Sequence, residues 1–75
     1  MLDNYREQYK MLGLNISYYR KLRGLSQEKL AEKIDISRTH MSRIETADCA
    51  VSLDVLFKIA SVLSIDAYKL LLNRE

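Results

Sequence analysis

Residues 25–45, LSQEKLAEKIDISRTHMSRIE, decide the fold. They read as two short helices joined by a tight turn. Ser26 precedes the first apolar-periodic run and Ser37 the second, so each can cap a helix by accepting from a free backbone N–H. Leu30 and Ile34 lie one turn apart on one face of the first helix, with Ala31 beside them. Met41 and Ile44 share a face of the second. Only Asp35 and Ile36 remain for the turn, so the two helices must cross, with Ile36 pinned inward.

The second helix of this pair carries the candidate chemistry. On a helical wheel Arg38, Thr39, Ser42 and Arg43 cluster on one side, roughly opposite Met41 and Ile44. That face holds two guanidiniums and two hydroxyls, with no acid and no bulky apolar group. Arg can bridge guanine O6 and N7, Thr can touch a thymine methyl, and Ser can reach base edges or phosphate. A helix about 10–12 Å across fits a major groove about 12 Å wide. A charged helix face alone is more often just solvated. The helix-turn-helix spacing around this one favours a binding role.

From about Leu12 to Leu72 the chain resembles the helix-turn-helix of the Cro and phage-repressor family, also called the xenobiotic-response-element type. The residues that carry the resemblance begin with Ile16, Tyr19 and Arg20, then Gly24-Leu25-Ser26-Gln27. Leu30-Ala31, Ile36-Ser37 and Ser42-Arg43-Ile44-Glu45 follow, and downstream Ser52-Leu53, Leu56, Ile59-Ala60 and Leu63. The resemblance implies an all-α, five-helix repressor-like fold. It implies that Gln27 contacts a DNA phosphate and braces the start of the recognition helix. It implies an architectural pair between Arg20 and Glu45, tying the first helix to the third. It makes Gln27, Ser37, Arg38, Thr39, Ser42, Arg43 and Thr46 the candidate DNA-contacting set.

The chain departs from the family pattern twice. Asp35 stands where glycine is usual in the turn; Asp tolerates a left-handed conformation better than most residues, though less well than Gly. In the loop 46–51 the family's basic residues are missing, and Asp48 would repel phosphate. Backbone N–H groups and Thr46 remain as possible contacts. Cys49 reads as a small structural residue.

Composition bounds the rest. Seventy-five residues make one domain over 1–75, nearly half hydrophobic (48%) and without proline. A core this small rarely supplies more than ~3–5 kcal/mol, so a partner subunit would be a natural source of stability. The net charge is only +2, weak as a sign of nucleic-acid binding taken whole. Between Ser17 and Glu45, however, seven Lys or Arg stand against four Asp or Glu, a local excess of +3. A single cysteine excludes an internal disulfide and a cysteine-based metal site. No acid has metal spacing around His40, which reads as a boundary residue, and no metal or cofactor is expected. No apolar run approaches ~18 residues and the N-terminus is not signal-like, so a soluble, cytoplasmic protein with no membrane association is expected.

Leu2, Tyr5, Tyr9, Leu12, Ile16 and Tyr19 recur at steps of three and four, which predicts one long helix from Asp3 to Arg23. Gly13 interrupts it weakly, at ~1 kcal/mol relative to Ala. Residues 1–11 read as a helical extension packed on the domain. Lys21 and Arg23 read as solvated, with Arg23 in reach of phosphate. Gly24 fits the position after a helix end, where φ is often positive.

Residues 52–72 carry the C-terminal helices. Ser52 caps a helix whose core stripe is predicted as Leu53, Leu56, Phe57, Ala60 and Leu63, with Val55, Ile59 and Val62 as a second stripe. Asp66 can cap a last short helix ending in Leu70, Leu71 and Leu72. Three consecutive leucines cannot all face one small core, which predicts a homodimer through Val62, Tyr68, Leu71 and Leu72. The expectation is a dimeric, sequence-specific regulator of transcription, a repressor on a pseudo-palindromic operator in double-stranded DNA. The alternative is an antitoxin-like module that binds a protein partner, with DNA binding weak or lost. An enzyme is the weakest class: no paired acids, Ser–His–Asp set or phosphate-cradling glycine loop is present.

Overall fold

The computed structural model describes residues 4–73. Four α-helices, α1 (Arg6–Leu22), α2 (Gln27–Lys33), α3 (Arg38–Glu45) and α4 (Leu53–Leu63), are followed by a 3₁₀ helix, Ala67–Leu71. α2 and α3 form the crossed pair, α1 packs across α3, and the 3₁₀ helix lies against α1 and α4. Leu12, Ile16, Leu30, Met41, Ile44, Ile59, Leu63 and Leu70 meet in the core between them.

The helix starts follow the serines. Ser26 accepts from the Lys29 N–H, Ser37 from the His40 N–H and Ser52 from the Val55 N–H, at 3.0–3.1 Å. α1 has no such cap: it begins after Tyr5, whose side chain makes no capping bond, because a phenol cannot fold back on its own helix as a serine does. The predicted start at Asp3 and the stripe residue Leu2 lie outside the described residues.

The helix ends share one device. At Gly24, Asp35, Ala47 and Ser64 the backbone turns left-handed, with φ of 73°, 62°, 63° and 57°. After each, paired N–H groups reach back to the carbonyls three and five residues earlier, as in Gly24 to Lys21 with Leu25 to Arg20, and Asp35 to Glu32 with Ile36 to Ala31. These are Schellman closures, and they turn Leu25, Ile36 and Ile65 back toward the core. Glycine takes this conformation freely, whereas other residues meet a Cβ–carbonyl conflict. Only one of the four positions is glycine. Asp35→Gly, at an exposed site, is therefore expected to raise stability by about 0.5–1 kcal/mol, read as a higher midpoint in urea at unchanged slope.

Two expectations about the C-terminal third need correction. The fifth helix is not an α-helix. Its five residues run as a 3₁₀ turn, and Asp66 makes no side-chain cap. Three residues per turn place Ala67 and Leu70 inward and Tyr68 and Leu71 outward, with only Leu70 fully buried. The core stripe of α4 is Leu56, Ile59, Ala60 and Leu63, while Leu53 and Phe57 stand 65% and 55% exposed. Both sides of α4 are apolar, so the wheel alone left the choice open. The helix buries the arc turned toward α1, α2 and the 3₁₀ helix. No described helix is long and apolar enough to cross a membrane.

Candidate nucleic-acid interface

α3 presents Arg38, Thr39 and Arg43 to solvent, with Ser42 and His40 half-buried at the margins and Met41 and Ile44 fully buried beneath. The outward face contains no carboxylate. Ser37 stands at its N-terminal end, where its oxygen accepts the His40 N–H. The Ser37 O–H is still free to donate.

A buried cluster fixes the direction of this helix. Arg20 of α1 donates from Nε to Glu45 Oε2 at 2.7 Å and from its Nη2 to Oε1 at 3.1 Å. Its Nη1 donates to the Leu25 carbonyl at 2.8 Å. The Gln27 amide donates to Glu45 Oε1 at 3.0 Å. One carboxylate at the end of α3 is thereby tied to α1 and to the first residue of α2. The fork-on-carboxylate geometry is the strong, directional form of an ion pair. Arg20 ties α1 to the end of α3, and Gln27 donates one N–H to the same carboxylate while its amide oxygen stays unused by that bond.

Other predicted residues are placed differently. Thr46 has one O–H, and its oxygen lies 3.0 Å from the Ser42 carbonyl and 2.9 Å from Asp48 Oδ2. That donor is spent inside the loop, so Thr46 offers an acceptor rather than a phosphate-binding hydroxyl. Arg43 leans over the same loop, its Nη2 3.3 Å from the Asp48 carbonyl, and most of its five N–H donors remain. Arg23 is exposed, as expected, but one of its donors is engaged. Its Nε donates to the Leu63 carbonyl at 2.7 Å, satisfying an end carbonyl of α4. On the exposed side of α2, Lys29 and Glu32 meet at 3.2 Å, a surface contact worth little.

Two structural residues escaped the sequence reading. Asn15 is buried, and its Nδ2 donates to the carbonyls of Leu70 and Leu72 at 2.9 and 2.8 Å. It pins the 3₁₀ segment to α1. Gly13 sits where α1 crosses the end of α3: a Cβ there would lie 2.5 Å from the Glu45 carbonyl oxygen. A polar residue inside an apolar stripe was the one available signal for Asn15.

A capped short helix with a polar outer face, crossed by a second helix and locked to a third, defines a helix-turn-helix unit. The chain belongs to the helix-turn-helix family, whose model matches residues 16–70, of the type found in Cro and the phage repressors. It is 36% identical over 62 residues to a hypothetical transcription factor of Neisseria meningitidis, a match covering 83% of this chain and 58% of that protein. The chain thus spans less than two thirds of that relative. Among solved structures, the N-terminal DNA-binding domain of SinR from Bacillus subtilis superposes with a TM-score of 0.80 at 33% identity, covering 88% of this chain and 97% of that one. The restriction-modification controller protein C.AhdI from Aeromonas hydrophila gives a TM-score of 0.79 at 31% identity, covering 83% and 94%.

Proposed function

We propose that this protein is a sequence-specific DNA-binding regulator of transcription, acting in the cytoplasm as a homodimeric repressor on a pseudo-palindromic operator. The observation that carries the reading is the outer face of α3. Arg38, Thr39, Ser42 and Arg43 project from a helix whose pose is set by a buried arginine–carboxylate pair. That combination suits direct readout, where side chains must meet base edges at fixed positions. Arg38 and Thr39 belong to the N-terminal end, which enters the groove deepest in this motif. Ser37 and Gln27, at the N-terminal ends of α3 and α2, would meet phosphate, where backbone N–H groups add partial positive charge.

Selection of bound duplexes from a random DNA pool tests this. The expected result is an inverted repeat with half-sites about one turn apart, ~34 Å centre to centre. Failure to enrich any sequence at low salt would sink the reading and favour the protein-partner alternative. Within an enriched half-site, Arg38→Ala should relax preference at one base pair, costing ~1–3 kcal/mol against the best site. Arg43→Ala should weaken binding and flatten its dependence on salt if that guanidinium sits on phosphate.

A further inference from the structure

Residues 46–51, TADCAV, hold one acid and no base. They run straight on from α3, whose outer face carries the guanidiniums of Arg38 and Arg43. The acid, Asp48, is exposed, yet its N–H, its carbonyl and its carboxylate all engage the end of α3. The N–H donates to the Arg43 carbonyl at 2.8 Å. The carboxylate oxygen Oδ2 lies 2.9 Å from the Thr46 hydroxyl. The carbonyl accepts from Arg43 Nη2 at 3.3 Å. What brings Asp48 there is the left-handed turn at Ala47, which is itself fully buried. Of the acceptors around the Thr46 hydroxyl the carboxylate is the strongest, so the single proton goes to Asp48.

We infer that Asp48 is a positioning residue that sets specificity: it holds Arg43 for a base and turns phosphate away from it. The inference rests on the DNA-binding reading above and decides which partner Arg43 takes. Geometry gives the first argument. A guanidinium offers two edges with paired donors, one of Nε and Nη2, the other of Nη1 and Nη2. Nη2 belongs to both. Whichever of its two N–H groups the Asp48 carbonyl takes, the other edge keeps both donors. A two-donor edge is what guanine O6 and N7 require. Tied at one corner to the main chain, the side chain is aimed before DNA arrives, and part of the freedom it would lose on docking is already gone.

Charge gives the second. A phosphate that approaches Arg43 over the loop meets the Asp48 carboxylate, and no lysine or arginine in residues 46–51 offsets it. An uncharged base edge meets no such repulsion. The carboxylate therefore lowers sequence-independent attraction at the one place on the loop where Arg43 raises it, and leaves base readout standing. The two roles of Asp48 are separable. Asp48→Asn keeps an oxygen that accepts from Thr46 and drops the charge. Thr46→Val keeps the charge and drops the hydroxyl that holds the carboxylate. Both residues are exposed, so neither change opens the core.

Binding of the full chain to the selected duplex, to its single-base variants and to a scrambled duplex tests the inference. Arg43→Ala marks the base pair that Arg43 reads, as the position where preference collapses. Thr46→Val should cut preference at that pair by about threefold to tenfold, the effect of freeing one long side chain, and affect the scrambled duplex less. Asp48→Asn should keep the preference and raise affinity for the scrambled duplex by about threefold, the effect of one unit charge across ~7 Å of water. In the Arg43→Ala background, Thr46→Val should change preference at that pair no further; a general loosening of the fold would weaken binding there too. Nuclear spin relaxation of the Arg43 Nε in the free protein gives a readout without DNA: the guanidinium should be more mobile in Thr46→Val than in the wild type. Unchanged preference in Thr46→Val, lost preference in Asp48→Asn, or equal mobility of Arg43 in both proteins would each overturn the inference alone. So would an Arg43→Ala variant that loses affinity equally for every sequence with a flatter salt dependence, the signature of a phosphate contact. A wild type that selects no sequence at all would sink the functional reading, and this inference with it.

Discussion

Gly13→Ala is expected to destabilise the protein by about 2 kcal/mol, a fall in melting temperature of about 10 °C at the usual 4–8 °C per kcal/mol for a domain of this size. Two effects of opposite sign compete at this residue. Helix propensity alone favours alanine over glycine in a helix interior by ~1 kcal/mol. Against it stands the contact with α3. An added Cβ would meet the Glu45 carbonyl oxygen at 2.5 Å, with the Ile44 carbonyl oxygen and the Glu45 carbonyl carbon at 2.9 Å. All three atoms are backbone, so no side chain can swing aside. Relief requires α1 and α3 to move apart, and a close-packed interior resists such a shift. Overpacking of this kind costs typically 1–3 kcal/mol and sometimes more, which outweighs the propensity gain. A thermal melt followed by circular dichroism decides the sign: a higher midpoint for the variant would show that the helices part easily. Because the contact falls on the last residues of α3, any variant that folds should also bind DNA less well than its stability alone predicts.

This glycine shows which parts of the molecule the sequence could disclose. Ser26, Ser37 and Ser52 were legible because a capping bond is local: the serine and the N–H it accepts from are three residues apart. The outer face of α3 was legible for the same reason, since a wheel over eight residues separates Arg38, Thr39, Ser42 and Arg43 from Met41 and Ile44. The Arg20–Glu45 pair spans 25 positions, and only the family resemblance pointed to it. Gly13 carries no local sign of its partner, more than thirty positions away, and it read as a weak spot in a helix. Arg23 is exposed as read, but nothing nearby in sequence suggests that its Nε reaches the Leu63 carbonyl. The stripe on α4 was misjudged for a different reason. Leu53 and Phe57 are as apolar as Ile59, and periodicity cannot rank two apolar arcs of one helix. The arc that faced neighbouring elements was buried, and the other stayed exposed.

Removing Glu45 should be the most damaging single change in the cluster behind α3, and more damaging than removing Glu45 and Arg20 together. The Arg20 and Glu45 side chains are 9% and 5% exposed. Glu45→Ala leaves a guanidinium buried with only the Leu25 carbonyl to accept from it. An uncompensated buried charge of this kind costs about 3–5 kcal/mol, comparable with the whole net stability expected of so small a core. The variant should be largely unfolded at growth temperature. The double variant Arg20→Met, Glu45→Leu removes both charges and keeps the apolar volume. It should recover most of the loss, since replacing a buried pair by packed apolar groups is often neutral. Gln27 is half-buried and can turn its amide to solvent. Urea melts of Arg20→Met, Glu45→Leu and the double variant give the coupling energy. A double variant no more stable than Glu45→Ala would mean that the site cannot repack. DNA selection with the refolded double variant then separates architecture from contact. If the pair only sets the pose of α3, the preferred bases stay the same and the affinity falls. A changed base preference in a folded double variant would mean that Arg20 or Glu45 itself takes part in reading the site.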